Sequence, residues 1–575
     1  MHRRVSETDK LLPNQLEVLQ TGILHSGFNC VIQMPTGSGK TSLLTHCMEQ
    51  FLNYGRKLIY LSPTKALALQ TWNKWKVQFI NYKVGIYTSD FSSRKKAFPI
   101  PFKDADILIM TPERLDACIR NWRTHWKWIP DVNVLVVDEF HLLGDEQRGS
   151  RLEGTLMNIQ QLNPFLRVIG LSATLGNRHE LSEWLNGVEF GSTWRPIPIQ
   201  VGKRLFKKAS DKPAILLSEV EKSIEEGGQI LVFVQSRKRS EQLTKFIQEQ
   251  GIQCAFHHAG LDHVTRTKIE TDFAKGTLHV LVATSTLEMG INFPVRKVIL
   301  YDMQVFDGVQ FLPLPQNNIW QRIGRAGRFG LDATGEATVM LPQWQKSFEL
   351  REDYDPIKSA WNNPRYFVEQ VIVQIGCGFA RTMPQLEEFI RRSLGFQQGR
   401  IANLKRSVDD LLHHGLIEEY GITPDVKLKV TKEGYLMVKH QLMPSTVFLF
   451  KRIIRQNWGY TFFDLLLLLS CSPDQEMQLN VDYEELGTIE KLLSAIPSML
   501  LSHAVQTITD PIQVENKRLL NALKMALIGY QYVKGYSLDT LSESLRPASL
   551  LMYAYSEIRS QISLINSNPL PLSIV

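Results

Sequence analysis

The chain has 575 residues, 43% hydrophobic and 21% charged, with 65 Lys and Arg against 58 Asp and Glu for a formal charge of +7. That length exceeds what one hydrophobic core serves, so roughly three to five domains are expected, and the mild basic excess permits nucleic-acid binding without establishing it. Six scattered cysteines without a C-x-x-C pair carry no zinc or iron-sulfur signature, and the most apolar run, FFDLLLLLS at 462 to 470, is too short to span a bilayer, so a soluble, reduced, cytoplasmic protein is expected.

From about residue 20 to 345 short apolar runs alternate with loops and helical patterns, the signature of an α/β fold with parallel sheets. NCVIQ, KLIYL, DILIM, VNVLVVD and RVIGLS fill the first half, and QILVFV, LHVLVAT and KVILYD fill the second. Between them, residues 192 to 213 are rich in Pro and Lys and read as a linker. After about 360 the strand runs give way to helical segments, with Thr382 and Gln385 at capping-box spacing. Residues 416 to 431, after a helix that ends at Gly415, read as strand-turn-strand, the wing of a winged helix; from about 443 the pattern is helical throughout.

Three elements carry chemistry. In MPTGSGKT, residues 34 to 41, a strand precedes a Gly-rich loop and a helix follows it. Gly37 and Gly39 let backbone N–H groups approach phosphates, Lys40 reaches the β/γ oxygens, and the Thr41 hydroxyl suits Mg²⁺; Pro35, Thr36 and Ser38 complete the cradle. In VLVVDEFH, four apolar residues deliver Asp138 and Glu139 to the carboxyl end of a buried strand, where ligands bind. Asp138 is read as the second Mg²⁺ ligand and Glu139 as the group that orients and deprotonates water. In QRIGRAGR, residues 321 to 328, Arg325 and Arg328 stand three apart, expected to share a helix face and to reach the γ-phosphate.

The ordered set of motifs resembles a superfamily 2 helicase of the Ski2-like group, closest to the archaeal fork-processing DNA helicases and the helicase part of DNA polymerase theta. Gln15 in LLPNQ is similar to the adenine-reading glutamine, SPTKALALQ to motif Ia, TPER to motif Ib, DEFH to motif II and SAT (172 to 174) to the motif that couples hydrolysis to strand movement. LVFVQSRK, FHHAGL, ATSTLEMGINFP and QRIGRAGR resemble motifs IV, IVa, V and VI. The resemblance implies two tandem RecA-like motor domains, at 1–200 and 201–360, a winged-helix domain at 361–442 and a helical ratchet-like bundle at 443–575.

It further implies an ATP- and Mg²⁺-dependent 3′ to 5′ motor, monomeric and unattached to membranes, on single-stranded or forked DNA. Gln321 joins the catalytic set and Gly290 the nucleotide contacts. Lys65, Thr111, Arg114, Arg237 and Thr284 grip phosphates without reading sequence. His141 links the nucleotide to the other motifs. An RNA helicase of the same fold and a DNA-stimulated ATPase that remodels a protein complex remain alternatives. A long helix in the bundle underlies the strand, its candidate here being residues 546 to 562 with Tyr553, Tyr555 and Arg559. The archaeal relatives carry a further small helical domain, whereas this chain ends at NPLPLSIV.

MQVFDGVQFLPLP, residues 303 to 315, falls where the resemblance places a strand-separating hairpin. Asp307-Gly308 suits a two-residue type I′ turn, which pairs Phe306 with Val309 and Gln304 with Phe311, with Pro313 and Pro315 ending the ladder.

Overall fold

Two parallel sheets organise most of the chain. The computed structural model describes residues 11–88, 102–258, 260–261, 263–287, 294–306, 311–351, 353–422, 426–454, 460–474, 481, 485–498, 500 and 514–534. These fall into two compact units, residues 1–257 with 272–441, and residues 258–271 with 442–575.

The first unit opens with α1 (Pro13–Gln20), β1 (Asn29–Gln33), α2 (Lys40–Asn53), β2 (Lys57–Leu61), α3 (Lys65–Gln78), β3 (Val84–Tyr87), β4 (Ile107–Met110), α4 (Pro112–Arg120), β5 (Val132–Asp138), α5 (Glu146–Leu162), β6 (Arg167–Ser172), α6 (Arg178–Trp184) and β7 (Gly187–Gly191). Seven strands pair in parallel in the order β3-β4-β2-β5-β6-β1-β7. The central strands are continuous apolar runs because helices cover both faces, and β1, β2, β4, β5 and β6 supply much of a core that includes Trp75 and Phe79 from α3 and its end. The helices begin where polar residues satisfy their first N–H groups: Thr64 accepts from Leu67 N before α3, and Asp145 from Gln147 N and Arg148 N before α5.

The second sheet follows with β8 (Ile199–Phe206), α7 (Lys212–Glu225), β9 (Ile230–Phe233), α8 (Arg237–Gln248), β10 (Cys254–His257), α9 (His263–Ala274), β11 (Val280–Ala283), β12 (Lys297–Leu300), a ribbon of β13 (Gln304–Phe306) and β14 (Phe311–Pro313), α10 (Gln316–Ile323) and β15 (Gly335–Pro342). Its order is β10-β11-β9-β12-β15-β8, again all parallel. The stretch read as a linker is therefore corrected in part: Ile199–Phe206 is the edge strand, paired along its whole length with β15. It escapes a periodicity reading because an edge strand wets both faces, and six of its eight residues are exposed.

Beyond the sheets come α11 (Pro364–Gly376), α12 (Met383–Arg391), α13 (Leu394–Gln397), α14 (Leu404–His413), the antiparallel pair β16 (Ile417–Tyr420) and β17 (Lys427–Val430), and α15 (Lys432–Lys439). Gly415 takes φ +62 after α14, the left-handed stop its sequence suggested. The Thr382 hydroxyl caps Gln385 N, while the Gln385 side chain turns to Arg381 N, so only half of the capping box forms at that helix. α11 is locked to the first sheet's helices by buried charge: Glu369 accepts from Arg120 at 2.8 Å and from Arg151 at 3.0 Å, and Arg120 also meets Asp116. A Cβ on Gly154 would stand 2.0 Å from the Gln370 side chain, so α5 and α11 approach through a glycine.

The second unit has α16 (Pro444–Ile454), α17 (Phe462–Ser470), α18 (Leu486–Ser494) and α19 (Val514–Val533). Phe463, Leu466 and Leu467 pack with Ile489, Leu493 and the Ala522–Ile528 stretch in its own core, and Thr461 with Asp464 forms a reciprocal capping box at α17. Residues 546 to 562, with Tyr553, Tyr555 and Arg559, lie outside the described residues.

The hairpin departs from its expected register. Phe306 faces Phe311, Val305 faces Leu312 and Gln304 faces Pro313, a register shifted by two residues from the one that pairs Phe306 with Val309. Leu314 N donates to Met303 O at 2.9 Å, which makes Met303 and Leu314 a hydrogen-bonded pair. The alternation of an antiparallel ladder leaves Pro313 at a position whose N–H is not needed. Pro313 is the last residue of β14, as expected, with one further backbone bond from Leu314 beyond it. The tip, and the Phe306 and Phe311 side chains, lie outside the described set.

Candidate nucleotide site and nucleic-acid track

The phosphate loop owes its shape to two glycines in the left-handed region, Gly37 at φ +82 and Gly39 at φ +79. A Cβ on Gly37 meets open space, whereas one on Gly39 would lie 2.4 Å from Gln15 Nε2. α2 starts at Lys40 with no side chain capping it, so its first N–H groups are available to an anion. Lys40 Nζ donates to Met34 O at 3.1 Å and Pro35 O at 3.5 Å, which keeps the ammonium inside the loop. Ser38 is fully buried, its hydroxyl donating to Pro35 O.

Gln15 braces this loop. Its Nε2 donates to Gly39 O at 2.9 Å and its Oε1 accepts from Leu12 N at 2.8 Å. One N–H and one lone pair remain on the amide for a base edge.

β5 ends in the two acids. Asp138 accepts from the Tyr60 hydroxyl and from Glu139 N, and Tyr60 also meets the Thr41 hydroxyl, so Thr41 and Asp138 converge on one phenol. Burial, then the charge of Glu139, push the Asp138 carboxyl up, while Tyr60 and Lys40 oppose the rise. Burial pushes Glu139 up as well, but His141, Lys40 and Arg325 together hold it below the usual range. The pair is therefore split, with Glu139 the committed anion. Glu139 also takes φ +52, one of three non-glycine residues with positive φ among the described residues; such strain gathers where a side chain must be aimed. His141 Nδ1 lies 3.3 Å from Glu139 and 3.1 Å from the Ser172 hydroxyl, tying the acid to the SAT segment.

The two sheets meet here. Gln321 Nε2, on α10, donates to Thr174 Oγ1 at 3.2 Å. A Cβ on Gly324 would lie 3.0 Å from the Thr36 side chain. A cleft opens between Thr36 and Gly37 on one side and Arg195, Pro294, Gly324 and Arg325 on the other.

Arg325 and Arg328 do not share a helix face, and that expectation is corrected. α10 ends at Ile323, and Gly324 with Gly327, the latter at φ +95, turns the chain away. Arg325 is buried and acts electrostatically on Glu139. Arg328 closes back on Asp332 through Nε and Nη2 at 2.9 and 2.8 Å. Gly290 lies outside the described residues.

The five proposed phosphate grips stand at the same edge of their sheets. Lys65 opens α3 after β2, Thr111 is the N-cap of α4 after β4 with Arg114 in that helix's first turn, Arg237 opens α8 after β9, and Thr284 follows β11. Each is placed at a strand's carboxyl end, and four of them at a helix N-terminus, where backbone N–H groups favour an anion. Arg114 also lies over the Tyr87 ring at 5.4 Å. Sequence reasoning missed Tyr60, whose hydroxyl joins Thr41 to Asp138; a tyrosine in an apolar strand gives no outward sign of that contact. Among the described residues no helix is long and apolar enough to cross a membrane.

The DEAD/DEAH box helicase model matches residues 12–181 and the helicase conserved C-terminal domain model residues 211–330. The chain is 31% identical to the ATP-dependent DNA helicase Hel308 of Pyrococcus horikoshii over 78% of its own length and 67% of the relative's. It is 29% identical to the Hel308 of Methanocella arvoryzae over 93% and 79% of the two chains, and 28% identical to that of Thermoplasma volcanium over 75% and 68%. Matched motor folds on both sheets, and similarity that runs on past them, show that the chain belongs to the Hel308 family of ATP-dependent DNA helicases.

Proposed function

We propose that the chain hydrolyses ATP to move 3′ to 5′ along one DNA strand and so opens duplexes or forks. The observation that carries this reading is the convergence of both sheets on one cleft: Gln321 and Gly324 from the second reach Thr174 and Thr36 of the first, and Arg325 acts on Glu139. Lys40 and the α2 N-terminus hold the triphosphate, Glu139 orients the attacking water, and Arg325 supplies positive charge as the γ-phosphate departs. Thr41 and Asp138, brought together by Tyr60, suit Mg²⁺, which supplies charge screening on the phosphates when bound.

Closing and reopening the cleft would alternate the grip of Lys65, Thr111 and Arg114 against that of Arg237 and Thr284. The same reading assigns Gly290 to the nucleotide, Phe306 and the hairpin to strand separation, and Arg559 to the strand beneath the bundle. It divides the chain into motors at 1–200 and 201–360, a winged-helix hinge at 361–442 and a ratchet-like bundle from 443, working as a cytoplasmic monomer.

ATPase measurements with matched single-stranded DNA and RNA test it. DNA should stimulate turnover, and Glu139→Gln should abolish it. Stimulation by RNA alone would overturn the substrate assignment, and retained turnover in the Gln variant would overturn the site.

A further inference from the structure

Arg195 lies in the connector between β7 and β8 and lines the cleft shared with Thr36 and Gly37. The connector is clamped to the QRIGRAGR loop at two points and to the first residue of β15 at a third. Arg195 Nη2 donates to Gly324 O at 2.8 Å, Ile197 fills the space where a Cβ on Gly327 would stand, and Pro198 O accepts from Gly335 N at 2.9 Å. Gly324 in turn abuts Thr36 of the phosphate loop. The guanidinium is therefore held in place by a backbone carbonyl, at the wall of the nucleotide cleft.

Its electrostatic surroundings are incomplete. Arg195 Nε is buried without a hydrogen-bond partner. Burial holds the guanidinium below its ordinary value, with Tyr354 the one group opposing that. Arg120, Arg151 and Arg328 each meet a carboxylate, whereas no carboxylate lies within 4 Å of Arg195 among the described residues. A desolvated cation without a counter-ion is unfavourable unless an anion arrives to complete it. The anion that the facing loop is built to hold is a phosphate chain.

We propose that Arg195 binds the phosphates of the nucleotide and, through its bond to Gly324, links nucleotide occupancy to the motif that carries Arg325. This deepens the ATPase reading and rests on it. Planar, bidentate donors suit phosphate oxygens better than an ammonium does.

The test is titration of the full chain with mant-ATP and Mg²⁺ in the absence of nucleic acid, for the wild type, Arg195→Met and Arg195→Lys. Arg195→Met should weaken binding at least tenfold with little change in the thermal midpoint of the nucleotide-free protein, and Arg195→Lys should recover part of the loss. Unchanged affinity in Arg195→Met, or a lowered midpoint with affinity intact, would reduce Arg195 to a brace for Gly324 and overturn the proposal. A second measurement needs no variant: ATP should slow phenylglyoxal modification of Arg195 relative to the exposed Arg56, and equal rates with and without ATP would overturn it. A wild type that binds no nucleotide would refute the ATPase reading itself, while wild-type binding with an indifferent Met variant refutes the Arg195 assignment alone.

Discussion

Replacing Glu153 with glutamine should stabilise the protein at alkaline pH and leave it nearly unchanged in acid. Glu153 sits fully buried on α5, where its oxygens accept from the Ser359 hydroxyl at 2.6 Å and from Gly395 N at 2.9 Å. No cation is among its partners, and burial raises its carboxyl from 4.5 to about 7 against those hydrogen bonds. A carboxyl that binds its proton more tightly folded than unfolded opposes folding once it ionises. The penalty is absent below about pH 4.5, grows through the neutral range and is complete above about pH 7. A difference of that size corresponds to at most about 3 kcal/mol. Glutamine keeps the shape, offers Oε1 to Gly395 N and Nε2 to Ser359, and does not ionise. Thermal unfolding followed at pH 4, 7 and 8.5 should give midpoints that coincide at pH 4 and diverge upward in favour of Glu153→Gln. A constant offset at all three values would refute the claim that an uncompensated carboxylate resides there.

Thr174→Val should leave the Gln321 amide with neither partner, since its Oε1 is already buried and unpaired. Coupling between the sheets is expected to weaken by about 1–3 kcal/mol, read as a drop of tenfold or more in DNA-stimulated kcat with basal ATPase less affected. Gly39→Ala places a methyl group on Gln15 Nε2 in a left-handed backbone; nucleotide affinity should fall at least tenfold by mant-ATP titration. Replacing residues 305 to 310 by a Gly-Ser loop should spare DNA-stimulated ATPase and cripple strand separation, and unwinding at the wild-type rate would mark the ribbon as scaffold.

The parts of the fold that were legible in advance are those where burial is two-sided. NCVIQ, VNVLVVD and QILVFV read as strands because parallel sheets covered on both faces leave no polar alternation to confuse. Ile199–Phe206 did not, because its edge position exposes most of its side chains and its Lys and Arg residues read as linker. In the site, glycine spacing announced the phosphate loop, since positive φ restricts those positions to glycine. The helix stop at Gly324 was hidden, because three-residue spacing of arginines implies a shared face only while the helix lasts. Arg328 thus meets Asp332 where phosphate was expected. The hairpin register was misjudged for a related reason: Asp307-Gly308 suits a tight turn, yet the strands pair Phe306 with Phe311, which places Pro313 at a position needing no N–H.

On the proposed function, the chain converts ATP hydrolysis into directional separation of DNA strands. The most direct measurement is single-turnover unwinding of DNA partial duplexes that differ only in carrying a 3′ or a 5′ single-stranded tail, with Lys40→Ala as the inactive control. ATP-dependent release of the displaced strand is expected from the 3′-tailed duplex, with little from the 5′-tailed one. DNA-stimulated ATPase with no strand released from either substrate would contradict it.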